Sequence, residues 1–104
     1  MAMTPEGRVK AAIKKKLTAK GVWFFCPVSN GMGVHGVPDF VCCWKGKFLG
    51  IEAKAPGKLN RLTELQKRQI RSICAAGGVA VAVDDADRLD ALFDEGETRV
   101  HCYD

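Results

Sequence analysis

Three residues near the middle of the chain have types and spacings suited to hydrolytic chemistry. Asp39 follows Pro38, and Glu52 and Lys54 stand two apart in the run Ile51-Glu52-Ala53-Lys54. Residues two apart in a strand project from the same face, so Glu52 and Lys54 are expected side by side. The short turn at Lys45-Gly46-Lys47 folds the strand that holds them back along the strand that Asp39 enters. That hairpin brings the Glu52 end to the Asp39 end, and two carboxylates and one amine converge. Hard oxygen ligands of this kind suit Mg²⁺ or Mn²⁺, with the backbone carbonyl of Ala53 as a further donor. Such a cation polarises a phosphoryl oxygen and acidifies a bound water, and a lysine beside it can position or deprotonate that water. The chemistry expected of the trio is phosphodiester hydrolysis.

Glu-x-Lys alone is weak grounds for a site, because a charged chain of this length produces it by chance. Weight comes from the hairpin and from what flanks it. Glu6 lies two helical turns before Ile13, on the apolar stripe of Val9, Ile13 and Leu17; an acid at the end of that stripe points toward the protein and can complete an acidic cluster. Gln66 has two readings that do not exclude each other. It has the spacing from Thr63 of a capping box, and it also lies on the inward face with Ile70 and Ile73. His35, in a glycine-rich loop before Asp39, can reach a phosphate or the attacking water, although a loop histidine is more often merely solvated. Asn30, Gly31 and Gly33 can shape the same loop. Lys58 and Arg61 follow the catalytic strand closely and are candidates for nucleic-acid contact. Lys10 and Lys14 are candidates too, against the plainer reading of a solvated helix face. Trp23, Phe24, Phe25 and Trp44 read as core or dimer interface rather than stacking platforms for bases.

The elements that position these residues follow from pattern. Thr4-Pro5 opens a helix that Gly21 stops. Val22 to Val28 reads as a buried strand, Phe40 to Trp44 and Phe48 to Lys54 as a hairpin, and Ala55 to Leu62 as a basic loop. A second helix starts at Thr63, with Leu65, Ile70, Ile73 and Cys74 on its apolar face, and Gly77-Gly78 ends it. Val79 to Val83 is a strand buried on both sides. Asp84 or Asp85 caps a short helix with Leu89, Leu92 and Phe93, and Val100 to Tyr103 reads as an edge strand. The order predicts an α/β fold with an αβββαβ core and a mixed central sheet flanked by helices.

The 104 residues suit one domain over 1–104, with its core at about 4–84 and a small α-β tail at 85–104. An apolar fraction of 47% is enough to bury a core and argues against a disordered chain. The net charge of +4 is mild, but its distribution is uneven: basic residues fill the first three-quarters and acids crowd between Asp84 and Glu97. A polyanion can therefore bind away from the acidic end. Five cysteines, an odd number without CxxC, read as reduced thiols in a cytoplasmic protein, and no signal peptide or membrane span is expected. A zinc site is disfavoured, since Cys42 and Cys43 would point to opposite faces of a strand.

The arrangement resembles the PD-(D/E)xK nuclease superfamily, with its restriction-endonuclease-like core, and within it the virus-type replication-repair nuclease (VRR-NUC) domain. The residues that carry the resemblance are Thr4-Pro5-Glu6, Gly36-Val37-Pro38-Asp39, Ile51-Glu52-Ala53-Lys54, Thr63 to Gln69, and Gly77-Gly78 before a valine-rich strand. The resemblance implies a Mg²⁺- or Mn²⁺-dependent DNA endonuclease in which Glu6, Asp39 and Glu52 bind metal, Lys54 is catalytic and Gln66 approaches the site. It also implies the habits of small stand-alone members from phages: a homodimer acting on branched DNA such as Holliday junctions, in a bacterial or phage-infected cell. Alternatives at this stage are a nicking or restriction-type nuclease without branch preference, and a non-catalytic DNA-binding module on the same scaffold. The segment after Asp84 matches least.

Overall fold

Helix α1 spans Pro5–Ala19, and its start follows from local chemistry: the Thr4 hydroxyl accepts a hydrogen bond from the Gly7 N–H at 3.0 Å, while Pro5 takes a position that needs no donor. The computed structural model describes residues 3–28 and 35–94. After α1 come strands β1 (Trp23–Phe25), β2 (Phe40–Trp44) and β3 (Lys47–Ala53), then helix α2 (Glu64–Ala75), strand β4 (Val79–Val83) and the short helix α3 (Asp90–Asp94). Single 3-10 turns lie at Leu59–Arg61, inside the basic loop, and at Ala86–Leu89.

The sheet has the order β1-β2-β3-β4. The first two pairings are antiparallel, and β4 runs parallel to β3 after crossing through α2. This is the mixed sheet expected from the sequence. The β2–β3 turn forms with positive φ at Lys45 (50°) and Gly46 (78°), the twist that a two-residue hairpin needs.

The two faces of the sheet are unequal. One face carries the main core: Phe40, Cys42 and Trp44 from β2, Leu49 and Ile51 from β3 and Val79, Val81 and Val83 from β4 pack with α1 and with Leu89, Leu92 and Phe93. The other face holds a smaller cluster, in which Leu62 and Ile70 pack on Ala80. Asp85, not Asp84, caps the turn into α3, accepting from the Asp87 N–H at 2.9 Å. Asp84 instead accepts from the Gly57 N–H at 2.9 Å and from Arg88 Nε at 2.7 Å, which pulls its pKa down.

Four expectations change. The run after Gly21 forms only a three-residue edge strand in which Phe24 packs against the core while Trp23 and Phe25 face outward, 62% and 48% exposed. An edge strand beside β2 alone has no second layer over its outer positions, so an apolar run there does not imply burial. Leu65 is likewise exposed, and Ile70 is the fully buried residue of α2. Cys26, Cys42 and Cys43 are free thiols, but Cys74 is disulfide-bonded, so five reduced thiols is not the observed state. Lys54 lies just beyond the end of β3 rather than within it. Among the described residues no helix is long and apolar enough to cross a membrane. The expected strand at Val100 to Tyr103, and Asn30, Gly31 and Gly33, lie outside the described residues.

Candidate active site

β3 sorts its residues by parity. Leu49, Ile51 and Ala53 enter the main core, while Gly50 and Glu52 face the α2 side. The β2–β3 register pairs Phe40 with Ile51, so one step further along the ladder Asp39 lies opposite Glu52. The Ala53 N–H donates to Asp39 Oδ2 at 2.9 Å and fixes that carboxylate at the strand end. Glu52 is only 4% exposed. Burial first, then a hydrogen bond and like charge from Asp39, push its pKa up to about 9, against the pull of Lys54 and Lys10.

Gln66 does both of the things its position allows. Its Oε1 accepts from the Thr63 N–H at 2.9 Å and the Thr63 hydroxyl accepts from the Gln66 N–H at 3.1 Å, closing the capping box. Its Nε2 donates to Glu52 Oε1 at 3.1 Å. One amide thus starts α2 and orients a buried carboxyl group.

The loop before Asp39 is seated by two close approaches. At Gly36, which has φ +81°, a Cβ would lie 2.7 Å from the Leu65 carbonyl oxygen; at Gly50 it would lie 2.7 Å from Pro38 Cγ. The loop therefore rests on the start of α2 and on β3 at once. Gln69 adds a bond from its Nε2 to the His35 carbonyl at 3.4 Å. None of these roles for Gly36, Gly50 or Gln69 was expected from the sequence; the glycines beside Pro38 and Glu52 were the available signal.

The carboxylate pair opens into a cleft of about 490 Å³ lined by His35, Pro38, Asp39, Glu52 and Gln66, with Phe25, Val28 and Val37 forming an apolar wall. Two smaller hollows hold other candidate residues, and only the first shares Asp39 with the cleft. One, of about 230 Å³, holds Lys10, Lys14 and Asp39. The other, of about 320 Å³, holds Glu6, Lys54, Lys58 and Arg61. A further hollow of about 390 Å³ includes Asp84 and Asp85, but both acids are already engaged, by Gly57 and Arg88 and by the Asp87 N–H.

Glu6 sits differently from Asp39 and Glu52. Its carboxylate is bridged to Lys10 Nζ at 3.3 Å, and Lys10 in turn lies 3.5 Å from Asp39 Oδ1. Among the described residues no three His, Cys, Asp or Glu side chains cluster as metal ligands. The acids at the strand end are thus two opposed carboxylates, with the Ala53 backbone held beside them by its N–H bond to Asp39. That set fits a hard divalent cation, which commonly takes one or two carboxylates and completes its shell with water and phosphate. The crowding of Asp39 against a buried Glu52 is the electrostatic condition that a divalent cation relieves.

Among solved structures, one described as a "VRR_NUC domain" superposes with a TM-score of 0.74 at 22% sequence identity, over 91% of this chain and 100% of that one. This chain has the VRR_NUC fold. No family model matches the sequence, and no curated protein matches it. Within this VRR_NUC fold, Asp39, Glu52 and Gln66 are in direct or near contact. Lys54 lies close enough to lower the Glu52 pKa, His35 lines the same cleft, Lys14 shares a second hollow with Asp39, and Lys58 and Arg61 line a separate hollow with Lys54 and Glu6.

Proposed function

We propose that this chain is a divalent-metal-dependent DNA endonuclease that hydrolyses phosphodiester bonds, with Mg²⁺ or Mn²⁺ as its cofactor. The observation that carries the proposal is the opposed pair Asp39 and buried Glu52, which line one cleft, with Lys54 near enough to act on the Glu52 charge. A binding module gains nothing from acids held where phosphate must approach. A cation held by Asp39, Glu52 and the Ala53 carbonyl would supply Lewis-acid polarisation of the phosphate and a more acidic water.

The remaining steps fall to side chains. Gln66 holds the Glu52 carboxyl in place through its 3.1 Å bond. Lys54 positions the attacking water and offsets charge that builds on the phosphoryl oxygens. Lys58, Arg61 and Lys14 contact flanking phosphates, and His35 stands at the lip of the cleft for the same purpose. Branched DNA such as a four-way junction is the proposed substrate, cut by a homodimer whose two-fold symmetry suits paired cuts. The outward Trp23–Phe25 pair on the open edge strand supports self-association.

The test is a panel of matched four-way, flap and linear duplex DNAs with Mg²⁺, with Mn²⁺ and with EDTA. Cleavage is expected only with metal, fastest on the four-way substrate, and absent for Asp39→Asn. Equal rates on all three DNAs would remove the branch preference, and no metal-dependent cleavage of any DNA would remove the enzyme.

A further inference from the structure

Lys10 occupies a place that the sequence would give to a metal ion. Glu6 and Asp39 are the acids expected to share a cation, yet the Lys10 ammonium lies between them, 3.3 Å from Glu6 Oε2 and 3.5 Å from Asp39 Oδ1. Two independent features put it there. The i,i+4 spacing on α1 stacks Lys10 one turn above Glu6. The burial of Val9 and Ile13 against the sheet then fixes the face of α1 that looks toward the start of β2.

The bridge is built to exchange. The Lys10 side chain is 41% exposed and that of Asp39 25% exposed, and both contacts are longer than a tight charge-assisted bond. A partly solvated pair of this kind adds little to stability. It does place one positive charge on the carboxylate that a divalent ion must use. Lys16, further along the same helix, and Lys20, at its C-cap, are paired instead with Asp87, Asp90 and Asp94. Lys10 is therefore the α1 lysine whose acidic partners include a member of the site itself.

We propose that Lys10 is a tethered counter-cation: it bridges Glu6 to Asp39 in the metal-free protein and competes with the divalent ion for Asp39, so that it sets the metal affinity of the site. Metal loading displaces the ammonium, which frees Glu6 and leaves Lys10 at the edge of the hollow it shares with Lys14. Lys10 is a positioning residue here, acting through Asp39. The inference rests on the proposed function in one respect, that Asp39 belongs to the metal site.

The experiment is a titration of the full chain with Mn²⁺ in the absence of DNA, read by the electron paramagnetic resonance of free Mn²⁺. It compares wild type, Lys10→Met, Lys10→Arg and Asp39→Asn. Lys10→Met is expected to bind Mn²⁺ more tightly, by about five-fold, the factor that corresponds to a surface-pair interaction near 1 kcal/mol. Lys10→Arg keeps the charge and is expected to bind close to wild type, and Asp39→Asn is expected to lose the site. A structural or purely DNA-binding lysine predicts unchanged or weaker Mn²⁺ affinity in Lys10→Met, and either result overturns the proposal. Should Lys10→Met fail to fold, Lys10→Gln is read in the same way. If wild type and Asp39→Asn give the same curve, the metal reading of the site fails, and this inference with it. If they differ while Lys10→Met matches wild type, only the inference fails.

Discussion

The two faces of β3 do different work. Toward α1 the strand presents Leu49, Ile51 and Ala53, all fully buried in the main core. Toward α2 it presents Gly50, which admits Pro38, and Glu52, which meets Asp39 and Gln66. One face is dry and stabilising. The other pairs small residues with a buried carboxyl group whose charged state burial opposes. Alternation along a single strand therefore keeps the cost of the site apart from the packing that holds it. Such a division predicts that substitutions on the two faces will separate activity from stability.

The largest effect should come at the site. Lys54→Ala is expected to lower turnover by about 10²- to 10⁴-fold, the usual range for a positioned acid–base group, with the melting temperature close to wild type. A parallel loss of stability and activity would break the division between faces. On the dry face, Leu49→Ala is expected to cost about 2–5 kcal/mol in denaturant unfolding, with cleavage per folded molecule retained.

Gln66 spans both roles and sharpens the contrast. Gln66→Leu removes the bond to Glu52, and a loss of about 10- to 100-fold in metal affinity or cleavage is expected, as for other groups that orient a ligand. Thr63→Ala removes the other half of the capping box and is expected to cost only about 1 kcal/mol, with metal affinity unchanged. Equal metal affinities in the two variants would reduce Gln66 to a cap.

The buried carboxyl group also predicts a pH slope. Glu52 has a pKa of about 9 in the folded protein against an ordinary value of 4.5, so between those values the folded state holds a proton that the unfolded chain releases. The stability of the metal-free protein should therefore fall as pH rises from about 4.5 to 9. Glu52→Gln removes the titration. Its metal-free melting temperature is expected to exceed the wild type's at pH 8 and to match it at pH 4. A wild-type melting temperature flat across that window would show that Glu52 ionises freely.

Much of this molecule is fixed by short-range pattern. The Thr4 and Thr63 caps, the turn at Lys45-Gly46, the alternation of β3 and the valine run of β4 each depend on neighbours within a few residues. They specify the element order and, through the hairpin register, the approach of Asp39 to Glu52. The tertiary structure decided what depends on layers. Whether an apolar run is buried depends on what lies over it, so Trp23 and Phe25 face outward although their sequence resembles a core strand. Whether a cation binds phosphate or a neighbouring acid depends on charges distant in sequence: Lys16 and Lys20 are met by the acids that follow β4, and Lys10 by Asp39. Glu6 was legible as an inward-leaning acid, but its link to the site through Lys10 required the packing of α1 against the sheet. Local spacing sets which side chains share a face, and only the assembled layers set which charges meet.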